Sequence, residues 1–365
     1  MSNITPASPL RDWLAQPTAG RVLRGFLTSQ GQSEDALALA LGLPLEQLVQ
    51  LSGGKFPPEL VDALVAAAAT GQIPDGVPTA ATAPTPGTAT ASGTAPAVGA
   101  GKSEPGVEIA TPDPWTEQVT PGRFGGQSVV VTGAAYGIGR AVASRIVREG
   151  GRVVAVDISA DGLAELASGL GEALVPVTAD ITEPESADAI LAAAAGRVDA
   201  LANVAGVMDD DAAVHEVDDT TWERVLRINV EGPMRLMRAV VPGMLAAGGG
   251  RIVNIVSEAA LRGSAAGAAY TTSKHALVGL TVSSAYQYAG TGVQVNAVAP
   301  GAVATGITMP AAAPYGSSRT AKMRVAIPRL AVAEELAASI TFLLSRDAVN
   351  INGAILPSDG GWSAA

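Results

Sequence analysis

Tyr270 and Lys274 stand four residues apart in the run Tyr270-Thr271-Thr272-Ser273-Lys274, and Ser257 precedes the tyrosine by 13 residues. Residues i and i+4 of a helix share a face, so the ammonium would sit beside the phenol. A free phenol ionises at about pH 10, too high to exchange protons well at neutral pH. A neighbouring cation favours the phenolate and lowers that value. A serine hydroxyl at the end of an adjacent strand would donate to a substrate oxygen and orient it. The set suits proton transfer to a carbonyl oxygen or from an alcohol, and such chemistry needs a hydride carrier beside it.

Far upstream, Thr132-Gly133-Ala134-Ala135-Tyr136-Gly137-Ile138-Gly139 follows one apolar run and opens an amphipathic one. Glycines in such a turn let backbone N–H groups approach a pyrophosphate, and the helix N-terminus adds partial positive charge. The next apolar run ends in Val154-Ala155-Val156-Asp157, with the aspartate 24 residues past Gly133. A carboxylate there accepts hydrogen bonds from the adenosine ribose hydroxyls and would repel a 2′-phosphate. Tyr136 precedes Gly137 and Ile158 follows Asp157, so nothing basic stands ready for that phosphate. The expected cofactor is NAD.

These side chains need a scaffold, and the rest of the chain supplies one. Short Val/Ile/Ala runs alternate with longer amphipathic stretches from about residue 121 onward, the pattern of β-α-β units. Strands are predicted at 128–132, 152–157, 173–178, 200–203, 250–256, 293–298 and 354–357. Helices are predicted near 138–149, 160–169, 184–195, 220–246, 266–289 and 332–345. The expected fold is α/β, a doubly wound parallel sheet of seven strands of the Rossmann type.

With its motifs in this order, the chain resembles the short-chain dehydrogenase/reductase family from about 125 to 365. The resemblance implies that Gly133, Tyr136, Gly137, Ile138 and Gly139 form the cofactor turn and that Asp157 holds the adenosine ribose. It implies Asp180 and Ile181 near the adenine, and Asn203, Ala205 and Gly206 in the family's Asn-Asn-Ala-Gly motif, with Val204 replacing the second asparagine. Pro300, Gly301, Val303 and Thr305 match the segment that holds the nicotinamide amide. Asn229, Ser257, Tyr270 and Lys274 match the catalytic tetrad, with Tyr270 and Lys274 also touching cofactor and Asn229 holding a water that links Lys274 to solvent. Asp359-Gly360-Gly361 resembles the C-terminal signature; Val256 stands where the family often has a second serine. A homotetramer built on the helices near 220–246 and 266–289 is the family expectation.

Other ionisable residues read more plainly. Asp209, Asp210 and Asp211, which sit with His215 near the cofactor end of the sheet, read as a solvated loop, and His275 as a surface or packing residue. No spacing of His, Asp and Glu suggests a catalytic metal. The resemblance places the segment from Gly306 to Met323 on the substrate side; its Pro, Gly and Ser content suits a mobile lid, with Ile307, Met309 and Tyr315 as apolar lining and Arg319 or Lys322 as anion contacts, and Glu258, next to Ser257, is a candidate substrate contact.

Bulk properties narrow the partners. The 365 residues carry a net charge of −11, which argues against nucleic acid and anionic membranes as general partners. There is no cysteine, hence no disulfide or thiolate site. Neither a signal peptide nor an apolar span stands out, so a cytoplasmic location is expected. Residues 8–72 read as a small helical domain and 73–120 as a flexible linker rich in Pro, Ala, Thr and Gly; the domain from 121 to 365 carries the chemistry. The run from Ser33 to Leu51 resembles a repressor-type helix-turn-helix within about 22–70. Residues 1–75 hold four basic side chains against seven acidic ones, so DNA binding is disfavoured and self-association or docking of a protein partner is expected instead.

The leading reading is an NAD-dependent enzyme interconverting a secondary alcohol and a ketone. Two alternatives stay open: a 3-oxoacyl-thioester reductase, and a non-catalytic NAD-sensing or DNA-binding regulator on the same fold.

Overall fold

The computed structural model describes residues 5–6, 8, 10–29, 45, 58–70, 115–305 and 312–364. Most of the expected linker, the helix-turn-helix-like run apart from Leu45, and residues 306–311 lie outside the described residues. Near the N-terminus, helix α2 (Pro17–Ser29) packs against α1 (Leu10–Ala15) and α3 (Pro58–Thr70). Leu10, Trp13, Val22, Leu23 and Leu64 are fully buried there.

The sheet runs β1 (Ser128–Thr132), β2 (Arg152–Asp157), β3 (Leu174–Thr178), β4 (Ala200–Asn203), β5 (Gly250–Ile255), β6 (Val293–Pro300) and β7 (Ile355–Ser358). Its spatial order is β3-β2-β1-β4-β5-β6-β7, and every pairing is parallel. The predicted strands are all present, with ends shifted by no more than two residues. Alternate side chains face opposite layers, as the period of two requires. Val129, Val131, Val153 and Ala155 point into one core with α4 (Gly137–Arg148), α5 (Ala160–Leu170) and α11 (Ala333–Leu344). Val130, Val154, Val156 and Ile252 point into the other with α6 (Ser186–Ala193), α8 (Gly232–Ala246) and Ala285 of α9 (Ala268–Gln287).

Two departures from the predicted helices matter for function. The helix expected over 220–246 is α7 (Asp219–Leu226), a π-helical turn at Arg227–Glu231, and α8. Pro233 has no N–H, so it cannot complete the bond that the Asn229 carbonyl would receive in a regular helix. Second, part of the segment expected as a lid is a helix, α10 (Pro314–Arg324). Pro314 suits its first turn, and Glu216 caps it by accepting from the N–H groups of Tyr315 and Gly316, both at 2.8 Å.

Because all strands are parallel, their carboxyl ends share one edge. The order reverses between β1 and β4, which opens the crevice where doubly wound sheets bind ligands. Among the described residues, no helix is long and apolar enough to cross a membrane, and no cluster of His, Asp and Glu is arranged to hold a metal.

Candidate active site

Three of the four candidate catalytic residues meet where β5 ends and α9 begins. Ser257 follows β5 beside the Tyr270 phenol, and its hydroxyl accepts from Ala259 N–H at 3.2 Å. Lys274 lies one turn further along α9, with Nζ 5.4 Å from the centroid of the Tyr270 ring. That Nζ donates to the carbonyl of Ile255 at 2.8 Å, and the side chain is buried. Gly206 leaves room for the ammonium: a Cβ added there would stand 3.4 Å from Nζ and 3.1 Å from Asn229 Oδ1.

Ionisation in this pocket differs from the sequence expectation. Burial pushes the Tyr270 phenol up to about 12; the Ser257 hydroxyl opposes the rise and the Asp209 charge adds to it. Burial pulls Lys274 down to about 8. The spacing leads one to expect Lys274 to lower the phenol, but burial is the largest influence on each group and moves both toward neutrality.

Asn229 sits in the π-helical turn, fully buried. Its Oδ1 accepts from Val207 N–H at 2.9 Å, and its Nδ2 donates to the Val207 carbonyl at 2.9 Å and to Ser273 Oγ at 3.0 Å. The side chain therefore ties the loop after β4 to α9. It is not free to hold the expected water, a task that would fall to the backbone carbonyl.

The glycine turn is shaped as its sequence predicts. Gly133 and Gly137 have φ of +64° and +51°, which disfavour a side chain. A Cβ on Gly133 would stand 2.9 Å from the Ala205 backbone, and one on Gly137 would stand 3.2 Å from Thr305. Thr132 Oγ1 accepts from the N–H groups of Val204 and Ala205, both at 3.0 Å, and so joins β1 to the loop after β4. The N-cap of α4 is Tyr136, which makes no side-chain capping bond. The first amides of that helix thus face the crevice uncapped, as a bound pyrophosphate requires. The turn fits a dinucleotide.

Asp157 ends β2, and its two oxygens accept from Ala135 N–H and Ser159 N–H, each at 3.0 Å. Tyr136 is largely exposed, its hydroxyl 3.1 Å from Ser159 Oγ. The Arg140 guanidinium, which donates to the Ala135 carbonyl in this turn, is paired with Glu165 at 2.8 Å. Ile138 packs partly into the core. Asp180 is exposed and accepts from Thr182 N–H at 2.8 Å, while Ile181 is buried. Asn203 is buried and donates to Asn254 Oδ1 at 2.8 Å, a bond between β4 and β5. Pro300 ends β6, Gly301 packs against Asp359, and Val303 bridges to Ala331.

Several residues stand elsewhere than expected. Asp209 and Asp211 are buried, not solvated, because their carboxylates serve as caps and ion-pair partners. Asp209 accepts from Tyr270 N–H at 2.9 Å, and Asp211 pairs with Arg324 of α10. Glu258 is buried and paired with Arg262, whose guanidinium lies 5.2 Å over the Trp362 ring. Tyr315 is half exposed and meets His215 edge to face at 5.3 Å; Arg319, Lys322 and His275 are exposed. Spacing gave no sign of the Asp209 and Glu216 caps, since each partner lies on a distant segment.

Comparison with known proteins agrees with this architecture. The family model described as short chain dehydrogenase matches residues 127–316. The short-chain dehydrogenase/reductase olcF of Penicillium canescens is 39% identical over 257 residues, covering 65% of this chain and 96% of the relative. A structure described as a putative NAD(P)-dependent gluconate 5-dehydrogenase from Beutenbergia cavernae, with bound NADP, is 40% identical with a TM-score of 0.60, covering 67% of this chain and all of that one. The NADH complex of a 3-ketoacyl-(acyl-carrier-protein) reductase from Brucella melitensis is 31% identical with a TM-score of 0.60, covering 66% of this chain and 99% of that one. The chain belongs to the short-chain dehydrogenase/reductase family. It is an oxidoreductase of the class that uses a nicotinamide dinucleotide.

Proposed function

We propose that the protein is an NAD-dependent enzyme that interconverts a secondary alcohol and a ketone, with Tyr270 as general acid and base. When bound, the nicotinamide supplies or accepts the hydride. Ser257 donates to the substrate oxygen and orients it. Tyr270 gives that oxygen a proton in reduction and takes it in oxidation. Lys274 steadies the phenolate and donates to the nicotinamide ribose, and Asn229 fixes the loop after β4 against α9. The observation that carries this reading is the meeting of Ser257 with the Tyr270 phenol and the buried Lys274 ammonium, which lies one turn along the same helix, 5.4 Å from the ring centroid.

Cofactor contacts are assigned to Gly133, Tyr136, Gly137, Ile138, Gly139, Asp157, Asp180, Ile181, Asn203, Ala205, Gly206, Pro300, Gly301, Val303 and Thr305, together with Tyr270 and Lys274. The Asp157 carboxylate favours NAD over NADP, because a 2′-phosphate would meet a negative charge and the nearby Arg140 is committed to Glu165. Residues 8–72 are assigned to a helical module, 73–120 to a linker and 121–365 to the catalytic domain.

The test is nucleotide absorbance with NAD and, in parallel, NADP, on a panel of secondary alcohols and the corresponding ketones. Turnover with NAD at least tenfold above NADP is expected. Preference for NADP would overturn the cofactor assignment. Likeness to the Brucella reductase favours a second reading, 3-oxoacyl-thioester reduction, so the panel includes acetoacetyl-coenzyme A. Turnover confined to that thioester would replace the simple-ketone reading.

A further inference from the structure

Helix α9 carries both Tyr270 and Lys274, yet it begins without a cap of its own: its N-cap is Gly267, which offers no side chain. A helix start leaves its first N–H groups without intrahelical partners. Here the acceptor comes from a distant loop. Asp209 is fully buried, and one of its oxygens accepts from the N–H of Tyr270 at 2.9 Å. The carboxylate also accepts, through Oδ1, from Asp211 N–H at 3.1 Å. The approach is close enough to require a glycine: a Cβ on Gly267 would stand 2.5 Å from Asp209 Oδ2. A second backbone bond, Ala268 N–H to the Ala212 carbonyl at 2.8 Å, holds the same loop on the helix start.

We propose that Asp209 is the positioning residue of the catalytic helix, capping its first turn from the loop after β4 and thereby fixing Tyr270 against Ser257. The inference rests on the alcohol–ketone reading of the site. Asp209 does not touch substrate in this role; it acts through the backbone of the residue that does. A charged acceptor also suits the positive end of a helix dipole. The same loop grips α10 through Glu216 and the Asp211–Arg324 pair, so Asp209 is held from behind by packed structure.

The test uses the full chain with Asp209→Ala, Asp209→Asn and Gly267→Ala. Amide hydrogen exchange over 266–273 reads the cap and needs no substrate. Exchange there is expected to quicken at least tenfold in Asp209→Ala, with the rest of the sheet unchanged. With a secondary alcohol that the parent oxidises, kcat is expected to fall roughly 10- to 100-fold, since small misplacement of a reacting group costs that much. The Kd for NADH, read by its fluorescence, is expected to stay within about twofold. Asp209→Asn keeps one acceptor oxygen and is expected to recover most of kcat, to within about fivefold of the parent. Gly267→Ala is expected to lower kcat in the parent but to add little in the Asp209→Ala background, because the two act through one contact. Unchanged exchange at 266–273 in Asp209→Ala would overturn the cap. Faster exchange with kcat within twofold of the parent, or full additivity with Gly267→Ala, would overturn the positioning role. A parent that turns over nothing would defeat the alcohol–ketone reading and, with it, the positioning role, while the exchange measurement would still decide the cap.

Discussion

At the scale of single residues, burial decides how the site ionises. Lys274 is buried and Tyr270 half-buried, and the loss of water drives each toward its neutral form: the phenol up to about 12, the ammonium down to about 8. The pH profile of kcat/KM reports groups of the free enzyme. For ketone reduction the phenol keeps its proton across the working range, so it does not set the alkaline limb. Lys274 is charged below about pH 8 and loses its proton above it. Reduction is therefore expected to be flat below pH 8 and to decline above it. A limb only at pH 10 or higher, where an unperturbed phenol or ammonium ionises, would refute this balance. Ser257, Tyr270 and Lys274 were legible in the sequence because helical spacing and a strand end bring them together. Their ionisation was not, since desolvation depends on what the rest of the fold packs around them.

At the scale of elements, the junction of β1 with α4 depends on backbone packed against backbone. A Cβ on Gly139 would stand 2.0 Å from the Gly133 carbonyl oxygen, a contact that no rotamer change can relieve. Gly139→Ala is expected to destabilise the protein by about 1–3 kcal/mol, by overpacking. Gly169, near the end of α5, has nothing within 4 Å of its added Cβ. Gly169→Ala is expected to leave stability unchanged or raise it by up to about 1 kcal/mol through helix propensity. Equal Tm values for the two variants would contradict the packing argument. Runs such as Val129-Val130-Val131 made the buried parallel strands legible, and the glycine turn marked where they meet a helix. Helix α10 was hidden because Glu216, its cap, lies 100 residues from Gly316. The π-helical turn at Asn229 was equally hidden, although Pro233 was its sign.

At the scale of the whole molecule, α9 leaves Val282 and Tyr286 exposed, at 47% and 85%, one turn apart on its outer face. Apolar side chains of this size on a long helix suit burial against another copy. We propose that the protein assembles as a homotetramer through the 219–246 and 268–287 helices. Sedimentation is expected to give a tetramer, and Tyr286→Glu is expected to shift it to smaller species. A monomeric parent would remove the assembly from the account. The seven-stranded sheet was legible from alternating apolar runs, but the burial of Asp209 and Asp211 was not, because three successive carboxylates look alike whether solvated or serving as caps.

We propose above that Tyr270 moves the proton in an NAD-linked alcohol–ketone reaction. Absorbance of NADH during incubation with NAD and a panel of secondary alcohols tests it, with Tyr270→Phe alongside. NADH is expected to form with the parent, and the rate to fall about 10²- to 10⁴-fold in the variant, the range for loss of a general acid–base group. NADH binding is expected to stay within about twofold. Turnover by Tyr270→Phe at the parent's rate would contradict the account.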